Sequence, residues 1–362
     1  MMVPQTEHTT APKASTTNTH PPHIDGQRRV HNADRCDSHR PGRRALVLGA
    51  LVLGTVAALY IDAQLGRGAD EWWNDPHARM VLLQLHFPRA AAALVAGAAL
   101  AAAGLLIQTV TANPLAAPEL LGISPGAVGG VMVGTTMGLV DPVNPLSSLG
   151  AALVGALLGG LVGVIATVTG GGDRAILAGL VLAAAATGVS TIILSSKPGL
   201  TGMAMRWLAG STNGVTWESV IPMAVWALPW SILAIVAAGV LPLVYTGPIH
   251  AASLGVAPVR MRVFLMGVAC LLTAGAVALA GPLGFVGLAI PHIMRRVVGP
   301  ASPWLVVATL LGGAGGMIAC DAVAQALGRL LSFGNNSIGV PAGAVAAISG
   351  AVALMMLLRG RQ

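Results

Sequence analysis

The sequence predicts an all-α, polytopic membrane protein of about ten transmembrane helices, and three observations carry that reading. Of its 362 residues, 55% are hydrophobic and only 9% are charged, with a mean hydropathy of +0.77. Soluble domains carry roughly 25% charged residues. Apolar stretches of about 20 residues, long enough to cross a bilayer as a helix, recur along the chain. One of them, residues 281–299, is broken by Pro282, Pro291 and four glycines, and it ends in His292, Arg295 and Arg296. Each proline removes a backbone donor, and in hydrocarbon the freed carbonyl is tolerable only where a neighbouring helix or a water-lined cavity satisfies it.

Residues 1–41 are rich in Thr, His, Pro, Asn and Arg, without apolar periodicity. Such a segment cannot bury a core and is expected to be a disordered, basic, cytoplasmic tail. His8, His20, His23, His31 and His39 are irregularly spaced, which favours a solvated tail over a metal site. A cleavable signal peptide is not expected, because the apolar stretch starts only near Ala45 and is long enough to span. Residues 42–359 then form the transmembrane domain, with spans expected at 43–65, 87–111, 115–139, 146–169, 175–196, 218–241, 263–281, 284–298, 303–322 and 338–358. Gly126, Gly130, Gly134 and Gly138 repeat every four residues, as do Gly155, Gly159 and Gly163. Each set lines one helix face and lets backbones approach closely. Asn113-Pro114 reads as the turn between the second and third spans, since the residue before proline is biased away from helix.

An even number of spans puts both termini on one side of the plasma membrane. With that side cytoplasmic, Arg28, Arg29, Arg35, Arg40, Arg43, Arg44, Arg174, Arg260, Arg262, Arg295, Arg296, Arg359 and Arg361 fall inside. Arg67, Arg79, Arg89, Arg206 and Arg329 fall outside or near it, an asymmetry the positive-inside rule favours. The net charge of +7 is therefore read as membrane anchoring and not as a nucleic-acid surface. Cys36, Cys270 and Cys320 lie far apart and suggest neither disulfides nor zinc.

Several chemistries are excluded by what the chain lacks. Neither lysine, Lys13 or Lys197, follows a glycine, so there is no Walker-type phosphate loop and any ATP must be handled by a partner. The metalloprotease signature His-Glu-x-x-His is also absent. No metal ligand set or cofactor site is expected. Carboxylates within spans are few: Asp62, Glu119 and Asp321. An ion-coupled secondary carrier would need acidic or histidine relays in mid-span, so that reading is the remoter alternative.

Six ordered blocks carry a resemblance. They are His86-Phe87-Pro88-Arg89 ahead of an Ala-rich span; Gly104 to Gln108 with Asn113-Pro114-Leu115-Ala116 and Leu121 to Ala127; Trp207 to Ser211; Ala252-Ser253-Leu254-Gly255-Val256; Gly281 to Arg295; and Asp321 with Gly339-Val340-Pro341-Ala342-Gly343. Together they resemble the FecCD-type permeases, the membrane subunits of importers for ferric siderophores, haem and cobalamin.

The resemblance implies a type II ABC importer permease fold. It implies as partners a second permease subunit, a cytoplasmic ATPase dimer that holds the ATP and Mg, and an extracytoplasmic substrate-binding protein. The ATPase-coupling loop would be about 245–262, with Ala252, Leu254, Gly255, Val256, Arg260 and Arg262. Docking of the binding protein would fall to His86, Arg89, Asp321 and Arg329, arginine being suited to bidentate contact with glutamate. Asn113, Pro114, Gly284, Phe285, Gly287, Pro291, His292 and Arg295 form the irregular backbone expected to gate. Departures from the family pattern are His86 and Gln325 where arginines are usual, Ser337-Ile338 ahead of Gly-Val-Pro, and a missing coupling-loop glutamate near Gly247-Pro248. The expected function is import of an iron(III)–siderophore complex, with cobalamin or haem import as the alternative.

Overall fold

Helical backbone starts where the sequence turns apolar, and it is interrupted where proline and glycine cluster. The computed structural model describes residues 41–65, 76–141, 144–196, 206–245, 258–300, 302–331 and 339–359. The tail expected at 1–41 therefore lies outside the described residues apart from Pro41. Helix α1 spans Pro41–Gln64. Helix α2 (Pro76–Val81) runs through a π turn, Leu82–His86, into α3 (Phe87–Val110). Then follow α4 (Ile123–Thr136), α5 (Pro145–Ser196) and α6 (Trp217–Val236). A 3-10 turn at Ala237–Gly239 leads to the short α7 (Leu241–Tyr245). The chain ends with α8 (Pro258–Ala280), α9 (Val286–Val298), α10 (Leu305–Leu331) and α11 (Ala342–Arg359). There is no strand among the described residues.

Seven helices among the described residues are long and apolar enough to cross a membrane. The expected spans 115–139, 284–298 and 338–358 are instead occupied by shorter helices. The first of these was drawn too long. Gly122, at φ 76°, starts α4, and the preceding residues 111–122 are turns. Gly138, at φ 74°, lies beyond the helix and ends it, so it does not belong to the packing ladder. Conversely, the second and ninth spans are longer than expected, since α3 is continuous with α2 and α10 reaches Leu331.

Helix α5 carries helical backbone for 52 residues, roughly 78 Å if straight and far more than a ~30 Å bilayer core. It is not straight. Gly126 lies against Gly155 and Gly159, while its neighbour Gly129 lies against Ala186. Gly163 and Gly179 both meet Leu121, so the chain doubles back between them. The two expected spans 146–169 and 175–196 are thus antiparallel neighbours that both flank α4.

Helices α3 and α8 form the centre, largely buried along their length, while α1 is almost wholly exposed on the outside of the bundle. Helix α3 packs against α8, α9 and α10. Close approach is set by small residues: a Cβ on Gly104 would strike the Gly287 carbonyl, and one on Gly97 would strike Gly313. Two asparagine side chains satisfy backbone donors locally. The Asn144 side chain accepts from Leu146 N at 3.0 Å ahead of α5, and Asn113 accepts from Leu115 N at 2.9 Å in the turn after α3.

Candidate functional site

Three polar constellations stand out in this apolar bundle, and each is built around backbone or charge that would otherwise be costly to bury. The first lies at the end of the bundle where α3 begins. Arg89 donates from Nε to Asp321 Oδ2 at 2.8 Å and from Nη2 to Asp321 Oδ1 at 2.9 Å, a bidentate pair. Thr212 Oγ1 donates to Asp321 Oδ1 at 2.5 Å, and Gln325, one turn along α10, donates to Asp321 Oδ2 at 3.3 Å and also to Asp62 of α1. Asp321 is 0% exposed and Arg89 15%. The expected role of Asp321 at a docking surface therefore does not match its place. Its carboxylate is neither solvated nor a helix cap but the buried hub that ties α1, α3, α10 and the segment ahead of α6 together.

Beside it, the π turn answers another backbone problem. Phe87 N donates to Leu82 O, a register that would offer Leu83 O to residue 88. That residue is Pro88, which has no N–H. The indole Nε1 of Trp217 donates to Leu83 O at 2.8 Å in its place, and joins the start of α3 to that of α6. His86, in the same turn, is half-buried with Nδ1 unpartnered among the described residues, and Arg329 is exposed.

The second constellation lies toward the other end of α3. Phe285 takes a left-handed conformation, φ 65°, ahead of α9, and Gly281, at φ 74°, ends α8. Pro291 sits inside α9 and leaves the carbonyl four residues back, Gly287 O, without its helical donor. Gln108 Nε2, from α3, donates to Gly287 O at 3.3 Å and to Leu288 O at 3.4 Å. The other end of the same amide, Oε1, accepts from Arg295 Nη1. Gln108 is fully buried, and His292 is buried as well. Of the residues expected to gate, Gly287, Pro291 and Arg295 are brought together here, Gly284 and Phe285 form the entry to α9, and Asn113-Pro114 makes the turn that follows α3. Arg89 and Gln108 are 19 positions apart on one helix, so the two constellations stand roughly 28 Å apart, close to a bilayer core.

The third constellation is the segment 206–215. Arg206 Nη2 donates to Leu279 O at 2.7 Å and to Ala278 O at 3.3 Å, Ser211 N donates to Ala280 O at 2.8 Å, and Gly343 N donates to Gly210 O at 3.1 Å. The segment thereby closes the end of α8 and anchors the start of α11. Next to it Glu119, Ser124, Thr187, Ser190 and Trp207 line a cavity of about 190 Å³.

Ala252, Leu254, Gly255 and Val256 of the expected coupling loop lie outside the described residues. Arg260 is exposed and Arg262 half-buried at the start of α8. Sequence reasoning passed over Asp62, Gln108 and Thr212 as site residues. The first two carried a signal, a carboxylate and an amide within apolar spans, whereas Thr212 carried none.

The FecCD transport family profile matches residues 45–360. The chain is 33% identical over 289 residues to the Fe(3+) dicitrate transport system permease protein FecC of Escherichia coli (strain K12), covering 76% of this chain and 82% of that protein. It is 32% identical over 291 residues to the hemin transport system permease protein HmuU of Yersinia pestis, covering 78% and 84%. It is also 31% identical over 290 residues to the cobalamin import system permease protein BtuC of Halobacterium salinarum, covering 79% and 75%. A solved inward-facing metal-chelate type ABC transporter superposes with a TM-score of 0.75 at 25% identity, over 87% of this chain and 99% of that one. With a match across the whole described bundle, this chain belongs to the FecCD transport family.

Proposed function

We propose that this chain is the membrane-spanning permease subunit of an ATP-driven importer and that its cargo is an iron(III)–siderophore complex. The observation that carries the reading is the family match over residues 45–360, with its relatives that carry ferric chelates. The partners follow from that reading: a second permease subunit, a cytoplasmic ATPase dimer that binds ATP and Mg, and an extracytoplasmic binding protein. Both termini then face the cytoplasm. The loop 245–262 meets the ATPase, with Arg260 at its exposed exit, and power strokes there reach α9 through the bundle. At the opposite end the binding protein docks on Arg329 and His86, while Arg89 and Asp321, spent on each other, hold that rim in shape.

The test is uptake of radiolabelled iron–siderophore, haemin and cobalamin by cells with and without the gene, with a partner-ATPase mutant in parallel. Loss of iron uptake in both mutants is the expected outcome. Loss of cobalamin or haemin uptake instead moves the cargo within the family. Normal transport in the ATPase mutant refutes the importer reading and favours an ion-coupled carrier.

A further inference from the structure

The cavity beside the 206–215 segment holds polar atoms that have no hydrogen-bond partner among the described residues. It is bounded by the turn ahead of α4, by α4 itself, by the far half of α5, and by Trp207 and Pro282. Glu119 Oε1 is closed off from solvent and has no hydrogen-bond partner among the described residues. Ser124 is 0% exposed, and its Oγ is equally unpartnered. Ser190, also buried, donates to Ala186 O at 2.8 Å and so turns its remaining lone pairs to the space. Arg206 lies against the Trp207 ring at 5.8 Å, donates from Nη2 to the carbonyls of Ala278 and Leu279, and makes no ion pair with Glu119 among the described residues.

Its own backbone N–H reaches the Glu119 carboxyl, but a carboxylate oxygen shut off from solvent without a partner is expensive, and in membrane proteins such a group marks the route or the site of a ligand. The lining offers acceptors, hydroxyls and one aromatic face, the complement of an ammonium, amide or hydroxyl group. Among the described lining residues there is no cation for an anionic one. At about 190 Å³ the space is smaller than the ~300–1,000 Å³ of a pocket that encloses a whole drug-sized molecule, so it takes one arm of a larger cargo.

We propose that the Glu119–Ser124 cavity selects cargo by charge, admitting chelates that present a cationic or hydrogen-bond-donating arm and rejecting polyanionic chelates. This rests on the import reading above. It divides that family's cargo classes by chemistry: trihydroxamates with a free amine, and amide-bearing corrinoids, are admitted; tricatecholates, ferric citrate and the carboxylates of haem are disfavoured.

The experiment uses the complete transporter, permease with its ATPase and binding protein, in proteoliposomes. Uptake is compared for ferrioxamine B, which carries a free ammonium arm, for cyanocobalamin, and for the polyanionic ferric enterobactin and ferric dicitrate. Each is presented to wild type, Glu119→Gln, Glu119→Asp, Glu119→Lys and Lys197→Gln. The expected result is a wild-type preference for the cationic or neutral cargo. That ratio falls on the order of tenfold in Glu119→Gln, falls further or inverts in Glu119→Lys, and is kept in Glu119→Asp. An unchanged ratio across the Glu119 variants overturns the proposal, as does a wild type that prefers the polyanions. An equal effect of Lys197→Gln also overturns it, since the chain itself then supplies the counter-charge. Wild type that moves none of the four cargoes defeats the import reading, and the proposal with it. Should Glu119→Gln not accumulate in the membrane, Ser124→Ala decides the question through the same ratio.

Discussion

At the scale of single residues, this protein keeps irregular backbone in an apolar medium by lending side chains to stranded carbonyls. Gln108 does for Pro291 what Trp217 does for Pro88. The substitution Gln108→Leu leaves Gly287 O and Arg295 without that amide, and is expected to destabilise the protein by about 1–3 kcal/mol. Adding Pro291→Ala returns a backbone N–H to the Gly287 carbonyl, so thermal unfolding of the purified double variant should recover part of the loss. Strictly additive losses would show that the two residues act separately. The Arg89–Asp321 pair makes a second prediction. Removing either partner strands a buried charge, and Arg89→Ala or Asp321→Ala should cost about 3–5 kcal/mol. Arg89→Met combined with Asp321→Leu should be more stable than either single variant, as measured by thermal denaturation in nanodiscs. If the double variant were the least stable of the three, the pair would not be coupled as described.

At the scale of elements, glycine spacing decides which helices touch. The faces of Gly126 and Gly130 on α4 meet Gly155, Gly159 and Ala151 on the first half of α5 with backbones in contact, and Gly129 turns toward the second half at Ala186. Without a hydrophobic drive between helices in lipid, such close packing carries much of their association. Gly126→Leu should therefore part α4 from α5 and cost at least the ~1–3 kcal/mol of an overpacked core. Gly49→Ala, where an added Cβ meets nothing within 4 Å, should leave stability unchanged or raise it slightly. Proteolytic or thermal stability in membranes checks the contrast, and equal effects would remove the packing argument.

At the scale of the whole molecule, the reversal of α5 fixes the parity of the spans. A cysteine placed at Arg174 should react with a membrane-impermeant thiol reagent only from the cytoplasmic face, and one placed at Asp141 only from the opposite face. Labelling of both from one side would break the orientation proposed above. The polar constellations at the two ends of α3, roughly 28 Å apart, give a second global expectation. Under the import reading proposed above, the two ends of α3 serve different partners, so a variant at Gln108 should affect coupling to ATP hydrolysis, and one at Arg89 the response to the binding protein. Stimulated ATPase rates in liposomes separate the two.

The sequence by itself determined that the chain spans a membrane repeatedly, which faces of α4 and α5 pack closely, and that the stretch around Pro291 needs help from a neighbour. Composition, four-residue glycine spacing and missing backbone donors are local properties, and they act wherever the chain is placed. Six ordered blocks were also enough to indicate the family. The tertiary structure alone decided which neighbour helps and which charges face each other. Asp321 read as a terminal carboxylate free to dock, yet 232 positions separate it from the Arg89 that neutralises it, and 263 separate Gln325 from Asp62. Burial of a charge depends on what arrives from elsewhere in the chain. For the same reason Glu119, one of three carboxylates within the expected spans, is set apart only by the fold, which places it beside hydroxyls and an indole with no cation among the described lining residues.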